Sequence, residues 1–347
     1  MKHLSLALIF GVFAMIQPVP TVVAAQSTPL TPFEQAILHH LENRDPSFTV
    51  VERGTHYEAP GAALHQALNS DNYLNHDYRK VSWQYTTTGT TTSVVFSLDY
   101  YETRAQVQYV ETRVRAILRH ILSPGMNEFQ REQAVHDYII LHVAYDTTLR
   151  DVTPYTALAL GKTVCNGYAM LTYLMLTEAG LKNHIVDGQV FGASSGAHAW
   201  NSVLLYGHWY NLDTTWDDPV PDVRGRLRYD YFNLTDAELR RDHTWNPTSA
   251  MPATTDFVST LAHGVGGHAA DQRILRSTQL YLETPAYTLH APAQVLNMWT
   301  AAHHGTILFR YPTKSLADLE SHLSIASFSI VSRPDQRDPA YVIITLS

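Results

Sequence analysis

Apolar and polar positions alternate in three blocks along the chain. In the first, Phe33, Ile37, Leu38 and Leu41 recur at helical spacing behind Pro32 and predict a helix over 32–41. Phe48–Glu52 reads as a strand, Ala62–Leu68 as a short helix, and Val81–Tyr85 and Ser93–Tyr100 as strands separated by the threonine-rich turn Thr86–Thr92. Helical spacing returns over Val107–Leu122 and is closed by Ser123-Pro124-Gly125. This block, residues 26–122, is expected to form a small α+β module without a chemical motif of its own.

The second block, 123–245, opens with a helix. Asn127 can cap it, Gln130 stands at the capping-box position, and Ala134, Val135, Tyr138, Ile139 and His142 continue one face to about Tyr145. Another helix is predicted to begin at Cys165, with a stripe of Ala169, Leu171, Leu174, Met175 and Ala179 and Gly180 as its terminator. Strands are expected over 185–191, 198–206 and 208–213, the last two joined by a tight turn at Gly207. With an odd number of residues between them, His198 and Asp213 can share one face of that hairpin.

In the third block, 246–347, Trp245–Thr255 has the composition of a linker and His263-Gly-Val-Gly-Gly-His268 that of a flexible loop. Its glycine spacing fits no phosphate-binding fingerprint. A strand over 306–311, a helix over 316–323 and strands over 328–331 and 341–346 then echo the order of the first block. The echo is one of pattern rather than of residues, and predicts a divergent internal repeat.

Composition narrows the class. A chain of 347 residues with 45% hydrophobic and 16% charged residues is an ordinary globular protein, and a formal charge of -8 argues against nucleic acid as a partner. Residues 1–25 read as a secretory signal: Lys2 and His3 in the n-region, an apolar run over Leu4–Ile16, and Val23-Ala24-Ala25 before a cleavage point at Gln26. That run is shorter than the roughly 20 residues a membrane span needs. The mature protein is therefore expected to be secreted, to the medium or the cell envelope, with no integral membrane segment.

Cys165 is the sole cysteine, so it has no partner for an internal disulfide. A helix start presents unpaired N–H groups and the positive end of the helix dipole to the sulfur, a setting suited to an anionic nucleophile. Its own N–H is a candidate oxyanion donor, and Gly161 and Gly167 would allow a substrate close to the backbone. His198 and Asp213 follow in order, each in an aromatic-rich segment. Nucleophile, base and orienter are thus available for acyl chemistry.

The three segments Gly161-x-x-Val-Cys-x-Gly-Tyr-Ala169, His198-Ala-Trp-Asn201 and Trp209-Tyr-x-x-Asp213-x-Thr-Trp-Asp-Asp-Pro219 resemble the transglutaminase-like superfamily, in its secreted bacterial branch. The resemblance covers roughly residues 125–245. It implies a papain-like core, in which the cysteine opens a helix packed on an antiparallel sheet bearing the histidine and aspartate, flanked by small α+β modules. It also implies a catalytic triad of Cys165, His198 and Asp213, and a thioester on Cys165 made from a peptide or glutamine amide of a protein, peptide or cell-wall peptide substrate.

Release of that thioester to water (peptidase or amidase) and to an amine (cross-linking) are both compatible with the family. Tyr145, Trp200 and Asn201 become candidates for an oxyanion or substrate-tunnel role. Asp217 is a competitor of Asp213, while Trp216 and Asp218 fit a turn before Pro219. No cofactor or metal is expected: the calcium sites of the animal enzymes have no counterpart here. The histidine pairs at 39–40, 263/268 and 303–304 carry no recognised ligand set. The alternative class is a non-catalytic, envelope-associated binding protein that keeps the fold.

Overall fold

The computed structural model describes residues 29–53, 59–191, 196–218, 220–302, 306–323, 330–335 and 337–346. The expected signal at 1–25 and the pair His303-His304 lie outside them. Helix α1 (Pro32–Glu42) starts in a capping box, Thr31 Oγ1 accepting from Glu34 N while the Glu34 carboxylate accepts from Thr31 N. Strand β1 (Ser47–Arg53), helices α2 (Pro60–Asn69) and α3 (Asn72–His76), and strands β2 (Tyr78–Thr88) and β3 (Thr91–Tyr100) complete the first module. Its sheet is antiparallel in the order β1-β3-β2. Phe48 and Val50 of β1 and Val94, Phe96 and Leu98 of β3 point at every second residue into a core closed by Ile37, Leu41, Leu64 and Leu68.

The central unit follows with α4 (Arg104–Ile121), α5 (Glu128–His142), β4 (Ala144–Tyr145), α6 (Pro154–Leu160), β5 (Lys162–Thr163) and α7 (Cys165–Glu178). Then come β6 (Asn183–Val190), β7 (Gly196–Leu205), β8 (His208–Leu212), α8 (Thr214–Asp217), α9 (Asp236–Leu239), β9 (His243–Thr244), α10 (Phe257–Ala262) and α11 (His268–Ser277). Strands β8-β7-β6-β9 form one antiparallel sheet. The fold is α+β, with α7 packed on this sheet. Tyr168, Met170, Leu171, Met175 and Leu176 of α7 are all fully buried, so it is enclosed on several sides instead of showing the single stripe its sequence predicts.

Packing moves two boundaries. Val110, Val114, Ile117 and Leu118 of α4 join the same core as α5 and α7, so α4 belongs with the central unit although its sequence position groups it with the first module. Phe257, Leu261, Ile274 and Leu280 extend that core well beyond residue 245. The supposed linker is anchored by buried Trp245, Ala250 and Ala253. The expected flexible loop is a fixed turn, in which Gly266 N donates to Asp271 and Gly266 O accepts from Asn127 Nδ2.

The last module contains α12 (Pro292–Ala301), β10 (Ile307–Pro312), α13 (Leu316–Leu323), β11 (Ile330–Pro334) and β12 (Tyr341–Leu346), with antiparallel order β10-β12-β11. Apart from the additional short helix α3 in the first, both flanking modules run helix, strand, helix, strand, strand, and in both the first strand pairs with the third, which carries the second on its other side. Among the described residues no helix is long and apolar enough to cross a membrane.

Candidate active site

Cys165 is the first residue of α7, half-buried, with Val164 as the cap residue. The chain reaches it through β5, which pairs in parallel with β4 and aligns Tyr145 with Thr163. Val164 N donates to Asp151 O, and Asp146 gathers the N–H groups of Thr148, Arg150 and Asp151 into one tight loop. Those donors, Asp151 N first, hold the Asp146 carboxyl well below the usual carboxylate range. Gly167 is required here for a local reason: a Cβ on it would lie 1.9 Å from Thr163 Oγ1. The close approach is made by Thr163, which donates to the carbonyls of Asp151 and Thr153, and not by a substrate.

The β7–β8 hairpin turns at Tyr206-Gly207, both at positive φ (47° and 85°), as a two-residue turn between right-twisted strands requires. Its register, Leu205 opposite His208 through Asn201 opposite Leu212, brings Asp213 level with Trp200 and on the same face as His198. His198 Nε2 lies 2.7 Å from Asp213 Oδ2, and Cys165 lies close enough to His198 to act on its charge. Burial alone would lower the pKa of His198. The Asp213 charge and hydrogen bond, with a smaller contribution from Cys165, outweigh it and push it up to about 10.

Asp213 is almost fully buried and saturated: Oδ1 accepts from Thr215 N and Trp216 N at the start of α8, and Oδ2 faces two imidazoles. Burial opposes ionisation there, but His198 and His243 overcome it and hold the carboxyl below the usual range.

The second imidazole, His243 on β9, was not among the residues singled out by sequence. Its Nε2 is 3.2 Å from Asp213 Oδ2 and its Nδ1 is 2.6 Å from Asp242 Oδ1. The only local signal was its setting, Asp242-His243-Thr244-Trp245, at the end of the aromatic-rich stretch. His198, Asp213 and His243 each bring one possible ligand atom within 4.8 Å of the others. Both imidazole nitrogens, however, converge on a single carboxylate oxygen, an arrangement that two N–H protons satisfy without an ion.

The remaining candidates separate. Tyr145 lies near the thiol, its phenol pKa raised by burial and then by the charges of Cys165 and Asp146. Trp200 is in the core beneath His198, with ring centroids 6.1 Å apart, and its Nε1 donates to Asn211 Oδ1. Asn201 points to the other face of β7, where its Nδ2 donates to Ala169 O and ties α7 to the sheet; this directs it away from the reacting groups. Asp217 is engaged with His136 Nε2 and Tyr231 N, away from His198, and Asp218 with Tyr168.

Residues 115–214 match the family model described as the transglutaminase-like superfamily. That span includes Cys165, His198 and Asp213 and ends before His243. Kyphoscoliosis peptidase of Mus musculus is 29% identical over 129 residues, covering 33% of this chain and 20% of the mouse protein. The Homo sapiens protein of that name is 30% identical over 122 residues, covering 31% of this chain and 18% of the human protein. The chain thus spans about a fifth of the length of the curated relatives it matches. A solved structure described as a TGase is similar at 12% identity and a TM-score of 0.29, over 56% of this chain and 61% of that one.

Proposed function

We propose, from the match of residues 115–214 to the transglutaminase-like superfamily, that this chain is a thiol peptidase or amidase acting on peptide or glutamine amides. The observation that carries this reading is the meeting of Cys165, at the start of α7, with a His198 that is hydrogen-bonded to a saturated Asp213. In the first step the Cys165 thiol gives its proton to His198 and the sulfur adds to the amide carbonyl. The oxyanion is received by the Cys165 N–H, which at a helix start has no intrahelical acceptor, and by the Tyr145 hydroxyl. The C–N bond then breaks as the His198 imidazolium gives its proton to the departing amine, leaving a thioester and neutral His198. His198 takes a proton from water as that water attacks the thioester, and returns it to the sulfur as the C–S bond breaks, which releases the acid and restores the thiol. Asp213 keeps the ring oriented and stabilises its charged form.

The name of the curated relatives, a peptidase, favours water over an amine as the acceptor. The compartment belongs to the same proposal: export with cleavage before Gln26, so that N-terminal sequencing of secreted material begins at Gln26. A protein or peptide substrate outside the cell, cell-wall peptide included, follows from that compartment.

The reading is tested by the rate at which iodoacetamide alkylates Cys165 across pH, in the natural protein and in His198→Ala. A fast reaction persisting well below the usual thiol range near pH 8.5, and lost in His198→Ala, is expected. A rate that follows an ordinary thiol and ignores His198 would make the protein a non-catalytic binding module. Incubation with a glutamine-containing protein and a fluorescent amine identifies the acceptor: cleavage fragments mean hydrolysis, and label without fragments means transfer.

A further inference from the structure

Behind the pair His198–Asp213 stands a second buried histidine whose geometry the reaction as described leaves unused. His243 is 1% exposed, and β9 holds it in the catalytic sheet with Val190 of β6 as its partner. Its ring is packed by Trp216 at 4.6 Å, Trp200 at 5.3 Å and Tyr231 at 5.6 Å between centroids, with the His198 ring at 5.4 Å. Each of its nitrogens faces a carboxylate, Asp213 on one side and Asp242 on the other. Asp242 is itself held by the Tyr231 hydroxyl at 2.6 Å. A neutral ring would turn a lone pair toward one of these carboxylates; a doubly protonated ring satisfies both.

We infer that His243 is a positioning residue, which grips the Asp213 carboxylate from behind and thereby fixes its orientation toward His198. This rests on the proposed thiol chemistry. The inward-facing groups then alternate in kind from Asp242 through His243, Asp213 and His198 to Cys165. The other ionisable groups near this line are Tyr231 and Arg241 beside Asp242, and Tyr145 beside Cys165.

The shared carboxylate has two separable effects. His243 supplies a donor that stops Asp213 from rotating about its side-chain bonds, and it supplies a positive charge that partly offsets what Asp213 gives His198. Burial works against charge on His243, but its hydrogen bonds to Asp213 and Asp242 raise its pKa overall, which fits the doubly protonated ring.

His243→Gln and His243→Ala separate the two effects. Glutamine can place an amide N–H near the position of Nε2 without the charge; alanine removes both. Iodoacetamide alkylation of Cys165 at neutral pH is expected to slow about tenfold in His243→Ala, the loss of one charge-assisted hydrogen bond, and to stay within about threefold in His243→Gln. Nitrogen NMR of the histidine rings, with His198 identified by its own substitution, should show its deprotonation moving up by about one pH unit in both variants as the neighbouring positive charge is lost.

A residue that only fills space would slow glutamine and alanine variants alike and leave the His198 titration in place; that result overturns the inference. Should His243→Ala fail to fold, the glutamine variant decides it by the same titration. The titration needs no turnover, so it can fail while the alkylation comparison with His198→Ala succeeds, and the reverse.

Discussion

At the scale of single residues, the candidate groups were legible because the acyl chemistry proposed for them demands particular residue types in particular surroundings. Cys165, His198 and Asp213 each stand in a short segment that is hard to explain as packing alone, and hairpin register brings the last two together. His243 escaped because a histidine in an edge strand of two residues has neither periodicity nor spacing to mark it. Trp200 and Asn201 were ambiguous for the opposite reason. A side chain near His198 in sequence points to the same place only when the strand alternation allows it, and Asn201 falls on the wrong parity.

Burial of an acid is another property that sequence does not announce. Glu132 is fully buried in α5; its Oε2 accepts from Asn233 Nδ2 at 2.6 Å, but Oε1 finds no hydrogen-bond partner among the described residues. Burial pushes its carboxyl up to about 8, against the smaller pull of Asn233 and His136. An acid whose folded pKa is raised binds more protons when folded than when unfolded. Stability therefore falls as pH rises from about 4.5 to about 8 on its account. Glu132→Gln should match the natural protein to within about 1 kcal/mol near pH 4.5 and exceed it by a few kcal/mol above pH 8, since each pKa unit corresponds to about 1.4 kcal/mol. Urea denaturation at a series of pH values measures this; parallel stability curves for the two proteins would refute it.

At the scale of elements, long periodic helices and the tight hairpin were readable, whereas α3 was not. Five residues without an apolar repeat give no pattern, and only the Asp71 cap, whose carboxylate accepts from Tyr73 N, hints at a start. Yet α3 is the element through which the first module meets α7 and the sheet it packs on. Asn72 Oδ1 accepts from Ile185 N in β6 at 2.8 Å, His76 Nε2 lies 3.2 Å from Asp187, and Asn166, next to Cys165, donates to His76 O and Val152 O. Asn72→Ala strands the buried Ile185 N–H with no acceptor, which costs about 1–3 kcal/mol. The expected result is a matching drop in urea stability together with faster hydrogen exchange at the Ile185 amide. Unchanged exchange there would show that the α3 contact does not hold β6.

At the scale of the molecule, the two flanking modules share a topology that their sequences display only as an order of elements, because each needs merely apolar alternation to fill its own core. They differ in what they touch. The first reaches α7 through α3; the last reaches the back of the Asp213 turn through Arg337, in the connection between β11 and β12. Arg337 Nη1 donates to the carbonyls of Tyr229 and Phe232, and Nε lies 2.7 Å from the Glu283 carboxylate, off the line of a good hydrogen bond. Between those two carbonyls sits Tyr231, whose O accepts from Asp213 N and whose N donates to Asp217 Oδ1. One arginine of the last module therefore fixes the segment that fixes the aspartate.

Arg337→Met keeps much of the side-chain length and apolar contact but removes the nearest cation from half-buried Glu283 and the Arg337 donor from the Tyr229 and Phe232 carbonyls, a loss of about 1–3 kcal/mol. If the connection to Asp213 is mechanical as well as stabilising, Cys165 in this variant should also be alkylated several-fold more slowly at temperatures where the protein remains folded. Arg337→Lys, which restores charge but not the planar fork, should recover stability more than rate. Full alkylation in a folded Arg337→Met protein would confine this arginine to stability and separate the last module from the active site.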